Sequence, residues 1–235
     1  MIKKIDHNNM GKSKLGWLTS WFHFSFAEYY NPENMNYGAL RVINDDLIQP
    51  HTGFSTHPHK DMEIITYVVW GELTHGDNMS NIRTLKRGQV QYMSAGTGVF
   101  HSEMNEGNEL LRLLQIWIIP DKIGYTPNYG DYKFKWEERE NKWLEVVSGQ
   151  NGNAPIKIHQ DMNIFVTELT NDNTLKYDCK EGRQLYLVLI EGEANINDIT
   201  LSERDALEIL DENIEIKTET NAHVILFDMS NKIIL

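Results

Sequence analysis

The sequence predicts an all-β protein built as two barrel- or sandwich-like halves with little helix. Short apolar or alternating runs recur about every 10 residues, and Gly, Asn, Asp and Pro separate them. The chain is also long, 235 residues, enough for two domains or one large β unit with a sizeable core.

In chain order the runs are 39–43, 64–70, 90–93, 110–119, 164–169, 185–190, 206–210, 214–217 and 223–227, each rich in β-branched or aromatic residues. Residues 120–128, with Gly124 and Pro127, interrupt the pattern and read as the crossover between halves. The boundary is placed near residue 134, giving domains 1–134 and 135–235. One helix is expected, over 136–144, where Glu and Lys cluster without Gly or Pro. An internal echo supports two similar halves. Tyr67-Val-Val-Trp-Gly-Glu72 resembles Tyr186-Leu-Val-Leu-Ile-Glu-Gly-Glu193, and each is followed by a strand-turn-strand pattern, led by Arg87-Gly88 and Arg204-Asp205.

Composition narrows the function. Lys+Arg 22 against Asp+Glu 34 gives a net charge of −12, which repels phosphate backbones and anionic lipid. Hydrophobic residues at 40% and aromatic residues at 10% suit a packed fold. The single cysteine, Cys179, excludes an intramolecular disulfide and a thiolate zinc cluster. Residues 1–13 carry no secretory signal pattern, and no run approaches the roughly 18–20 apolar residues of a membrane span. A cytoplasmic protein without nucleic-acid or membrane partners is expected.

His57-Pro58-His59 follows Gly53, and side chains two apart on an extended chain share a face. His101-Ser102-Glu103 repeats that spacing with an imidazole and a carboxylate. If the two segments are neighbours in a barrel, four ligands converge: a nitrogen-rich set suited to Fe(II), Mn(II), Cu(II), Ni(II) or Zn(II) rather than Ca or Mg. An octahedral ion would keep two positions for substrate, water or dioxygen. Glu63, four residues after His59, would share the histidines' face on one continuous strand, so spacing does not choose between Glu63 and Glu103 as the carboxylate. His7, His23, His51, His75, His159 and His223 lack comparable partners in the sequence and read as surface or hydrogen-bonded core histidines.

The pattern Gly53-x3-His-x-His-x3-Glu63-x7-Gly71, then Gly88-x5-Ser-Ala-Gly-x4-His101-x3-Asn105, is similar to the paired cupin motifs, with Ser94 where the second usually has Pro. The wording of residues 17–20, 24–30, 40–46, 56–67, 91–98, 101–103 and 114–118 closely resembles the pirin family. Residues 160–162, 186–193 and 224–228 look more loosely like its second cupin.

That resemblance implies a bicupin, two β-barrel (double-stranded β-helix) domains, with the metal in the first only. It implies His57, His59, His101 and Glu103 as ligands of one divalent transition metal, Fe(II) first and Mn, Ni, Co, Cu or Zn as alternatives. Some pirin-like proteins are quercetin 2,3-dioxygenases that open the flavonol's central ring with O2 and release carbon monoxide; there Glu103 is the candidate catalytic base for the 3-hydroxyl proton. Phe54, Met93, Phe100 and Met104 lie near the motifs as candidate lining for a flat polyphenol. The alternative is a non-catalytic, metal-dependent regulatory protein that contacts a protein partner.

Overall fold

The computed structural model describes residues 1–232; the last three residues of the expected second domain lie outside it. Among the described residues the chain forms strands joined by tight turns, with only two 3-10 turns, Trp136–Glu138 and His7–Asn9. The strands are β1 (Ile2–Ile5), β2 (Gly11–Lys14), β3 (Leu18–Phe22), β4 (Leu40–Ile48), β5 (Thr52–His59), β6 (Glu63–Trp70), β7 (Glu72–Asp77), β8 (Ile82–Lys86), β9 (Gln89–Ser94), β10 (Val99–Asn105), β11 (Leu111–Ile118) and β12 (Asn128–Lys133). They continue as β13 (Leu144–Gly149), β14 (Ile156–Ile158), β15 (Met162–Leu169), β16 (Thr174–Tyr177), β17 (Arg183–Ile196), β18 (Ile199–Ser202), β19 (Ala206–Leu210), β20 (Ile214–Lys217) and β21 (Ala222–Ser230). No helix among them is long and apolar enough to cross a membrane.

Two compact units result. One comprises Gly11–Lys133 with Ile158–Gln160, and the other Met1–Met10, Phe134–Lys157 and residues 161–232. In the first, a seven-stranded sheet runs β12-β9-β6-β11-β4-β3-β2 and a four-stranded sheet runs β5-β10-β7-β8. In the second, β1-β19-β17-β21-β15-β13-β14 form the larger sheet, and β16, β20, the far end of β17 and β18 form the smaller ladder. The two strand orders correspond position by position, the pattern of two cupin domains.

The sequence echo has a structural cause. Gly71 and Gly192 both take positive φ, +78° and +86°, where the chain turns out of β6 and where β17 bends. A methyl on Gly71 would meet the Leu110 carbonyl oxygen at 2.6 Å and Leu111 Cα at 2.8 Å; on Gly192 it would meet Asn221 and Ala222 in the same way. Gly88 and Arg204 adopt φ of +75° and +74°, and their N–H groups donate to Val68 O at 2.8 Å and Leu189 O at 2.7 Å. Gly71→Ala combines backbone strain with overpacking and is expected to cost about 2–3 kcal/mol, read as a lower denaturation midpoint.

Three expectations need correction. Residues 1–10, expected with the first half, pack with the second: β1 pairs antiparallel with β19. Asp205 anchors it, accepting from the His7 N–H at 3.0 Å and pairing with Lys4 at 2.8 Å. Residues 120–128 stay in the first unit, since β12 returns to pair with β9. The helix over 136–144 reduces to the turn Trp136–Glu138. There the buried Arg139 guanidinium lies 4.5 Å over the Trp136 ring. Arg139 O accepts from Glu168 N at 3.0 Å, and Asn141 N donates to Glu168 O at 2.8 Å. Peptide groups that a helix would use are thus committed to the edge of β15.

The interiors differ. In the second unit Leu185, Leu187, Leu207, Ile214, Ile216 and Leu226 belong to one continuous apolar cluster. In the first, apolar clusters such as that of Leu18, Ile48, Val68 and Leu73 and that of Ile64, Met93 and Val99 accompany a buried polar set that includes Asn44, Asp46, Thr66, Gln91, Glu103 and Gln115. Burying so many polar groups is costly unless they satisfy one another.

Candidate metal centre

Antiparallel pairing of β5 with β10 sets His101 opposite His57 and Val99 opposite His59. Strand pleating then turns His57, His59 and His101 to one side, as the spacing of two predicts. Their ring centres lie 4.5–4.8 Å apart, and one ligand atom from each lies within 4.8 Å of the others. His101 Nε2 faces His57 Nε2 at 3.1 Å, while His57 Nδ1 is 2.7 Å from Ser55 O. Because a carbonyl only accepts, Nδ1 of His57 donates to it and Nε2 presents a lone pair. Burial pushes His59 down to about 4, reinforced by His101 and His57, and pushes His101 down to about 3, reinforced by His57 and His75. Neutral imidazoles converging on one point are what a divalent cation requires, so the donor set fits such an ion.

A register shift between His101 and Glu103 sets Glu103 opposite Phe54. Glu103 is 1% exposed and lies outside the three-histidine group. Its Oε1 accepts from Thr66 Oγ1 at 2.9 Å and Gln91 Nε2 at 2.7 Å, and Gln115 Nε2 donates to Oε2. Hydrogen bonds to a charged group contribute about 1.5–3 kcal/mol each, so this clamp fixes the carboxylate firmly.

Glu63 does not share the histidines' face. The chain turns at Asp61, φ +49°, and Glu63 opens β6 in the other sheet. Its carboxylate accepts from Tyr92 Oη at 2.8 Å, Ser94 Oγ at 2.6 Å and the His159 N–H at 3.0 Å. Of the candidate lining residues, Phe54 stands edge-on to Trp17 with ring centres 5.2 Å apart and lies 6.3 Å from His57. Met93 packs in the core with Ile64 and Val99. Phe100, half exposed, alternates to the face opposite His101, and Met104 likewise lies opposite Glu103. Trp117, which the sequence reading did not single out, stands edge-on to His59 at 4.9 Å.

Several of the remaining histidines are hydrogen-bonded, as the sequence reading expects of core histidines. His75 Nε2 is 3.0 Å from Asp77 Oδ2, His7 meets Asp205 at 2.7 Å, and His223 meets Glu191 at 2.9 Å. Burial raises the Asp77 pKa, but hydrogen bonds from His75, Asn81 and Met79 outweigh it and hold the carboxyl below its usual range. Asp6, His7 and Asp205 also gather ligand atoms. There, however, Lys4 and the N–H groups of His7 and Ser202 already occupy Asp205 as an anchor for β1.

Residues 5–118 match the Pirin family model and residues 145–229 the model of the quercetinase C-terminal cupin domain. The chain is 42% identical over 231 residues to quercetin 2,3-dioxygenase of Escherichia coli strain K12, covering 97% of this chain and 99% of that one. It is 42% identical over 230 residues to a pirin-like protein of Caulobacter vibrioides, with coverage of 97% and 99%. The crystal structure of the bacterial pirin YhhW from Escherichia coli in complex with nickel(II) superimposes with a TM-score of 0.92 at 40% identity, covering 98% of this chain and 99% of that one.

Proposed function

This chain belongs to the pirin family, and on that premise we propose that it is a metal-dependent dioxygenase opening the central ring of quercetin-like flavonols with O2. In this reading His57, His59, His101 and Glu103 hold one divalent transition ion, Fe(II) first among the candidates. The observation that carries it is the convergence of three imidazoles beside a buried, clamped carboxylate. That YhhW forms a complex with nickel(II) supports a divalent ion as the cofactor. A bound ion would supply Lewis acidity, which lowers the pKa of a hydroxyl held against it.

The chain's own residues have distinct tasks. Ser55 O orients His57. Thr66, Gln91 and Gln115 aim the Glu103 carboxylate, which accepts the flavonol's 3-hydroxyl proton. Phe54 and Trp117 flank the histidines and offer aromatic surface to a planar ring system. The metal belongs to the first unit alone: the strands of the second unit that correspond to β5 and β10 pair Leu175 with Ile216 and Tyr177 with Ile214, and these side chains join the apolar core.

Elemental analysis of protein purified without chelators is expected to find about one transition-metal ion per chain. His59→Ala is expected to weaken binding by more than the ~10–100-fold typical of losing a residue that merely hydrogen-bonds a ligand. The metal-loaded protein should consume quercetin and O2 in equal amounts and release carbon monoxide. Ring opening no faster than with free metal would remove the dioxygenase reading and leave a metal-dependent binding protein in its place.

A further inference from the structure

Among the described residues, Nδ1 of His75 and Nδ1 of His101 in the first unit are buried without a hydrogen-bond partner. Their strands, β7 and β10, are paired, with His75 opposite Glu103 and Asp77 opposite His101. The two ring centres are 5.5 Å apart. Imidazoles joined by an N–H···N hydrogen bond hold their centres about 5 Å apart, so a small side-chain adjustment brings these two into contact.

The partners dictate where the protons sit. Asp77 Oδ1 accepts from Met79 N at 2.8 Å and Asn81 N at 3.0 Å, and Oδ2 accepts from Asn81 Nδ2 at 2.9 Å. An ionised carboxylate only accepts, so His75 donates to it through Nε2–H and its Nδ1 is a bare lone pair. His101 is the complement. With its Nε2 turned toward His57, that nitrogen must be unprotonated to hold an ion, and its proton then resides on Nδ1.

We propose that the His75–Asp77 pair positions His101: Nδ1 of His75 accepts the Nδ1–H of His101 and fixes the tautomer that leaves Nε2 of His101 free for the ion. This rests on the metal-site reading above. It gives His101 what Ser55 O gives His57, a fixed acceptor for the second ring N–H, as metal-ligating histidines commonly have. Tyr129 stacks on His75 at 4.5 Å with an interplanar angle of 21° and fixes the plane of the relay.

Two substitutions test it. In Asp77→Asn the amide oxygen takes the place of Oδ1, keeping the Met79 and Asn81 N–H donors and the Asn81 Nδ2 contact that already reaches Oδ1 at 3.2 Å, so the NH2 faces His75 Nε2. His75 must then accept there, its proton moves to Nδ1, and two N–H groups oppose each other. His75→Phe keeps the ring and its stacking on Tyr129 but removes both nitrogens. Each is expected to lower Ni(II) affinity about 10–100-fold in chelator competition, with circular dichroism confirming the wild-type fold. Long-range 1H–15N spectra of the metal-free protein should show His75 protonated on Nε2 in the wild type and on Nδ1 in Asp77→Asn. His75→Phe binding Ni(II) as tightly as wild type would reduce His75 to a packing ring and overturn the proposal, as would a wild-type His75 protonated on Nδ1. A wild type that binds no Ni(II) would overturn the metal reading itself, and the His75 tautomer would still decide for or against the pairing.

Discussion

Glu103→Gln is expected to lower quercetin turnover by about 10²–10⁴-fold, the usual contribution of a positioned general base, while the protein still binds metal measurably. The carboxylate sits among donors from Thr66, Gln91 and Gln115, and an amide there keeps one accepting oxygen but brings an NH2 that needs an acceptor. Gln91 can supply it by rotating its own amide, since its Oε1 is buried without a partner. The network can therefore re-form around the new side chain, and the three histidines remain. What the amide cannot do is take a proton at neutral pH. Steady-state rates and bound-metal content measured on the same preparations check this. Glu63→Gln is the control: tied to Tyr92, Ser94 and His159, it should leave turnover within a few-fold. Turnover at the wild-type rate in Glu103→Gln would move the base elsewhere.

Spacing made the first histidine pair legible, because a strand's period of two puts positions 57 and 59 on one face; that His101 joins them depends on β10 pairing with β5, which spacing does not give. The two-halves echo was legible for a similar local reason: Gly71 and Gly192 mark places where another strand's backbone approaches too closely for a side chain. The clamp around Glu103 was not, since Thr66, Gln91 and Gln115 come from three strands and meet only in the folded sheets. The available signal was their polarity inside otherwise apolar runs. His75 and Asp77 carry the same spacing of two as His101 and Glu103, a signal present in the sequence that the reading of His75 as a core histidine without a comparable partner leaves unused. Glu63 misled because a regular count assumes a continuous strand, and the turn at Asp61 ends it. The exchange of β1 could not be read locally either: Ile2 finds Ile209, a pairing that depends on tertiary context rather than on the propensity of four residues.

Arg112→Met is expected to destabilise the protein by about 3–5 kcal/mol, the cost of removing one partner from a buried ion pair. Arg112 Nε and Nη2 grip Asp45 at 2.9 and 2.5 Å, fork to carboxylate, with both side chains at most 2% exposed. The pair ties β11 to β4, neighbours in the sheet of the first unit that also contributes Thr66, Gln91 and Gln115 to the Glu103 clamp. Methionine fills much of the volume, so little of the loss would come from a cavity; most would come from a carboxylate buried without its guanidinium. Burial itself is not what stabilises here, which a second variant makes visible. Replacing both partners, Arg112→Met with Asp45→Leu, removes the uncompensated charge, and such exchanges are often neutral. Denaturant unfolding followed by tryptophan fluorescence should therefore show a large drop for the single variant and recovery of most of it in the double. A single variant within about 1 kcal/mol of wild type would mean that Asp45 is adequately held by its other neighbours and that the ion pair is dispensable to the sheet.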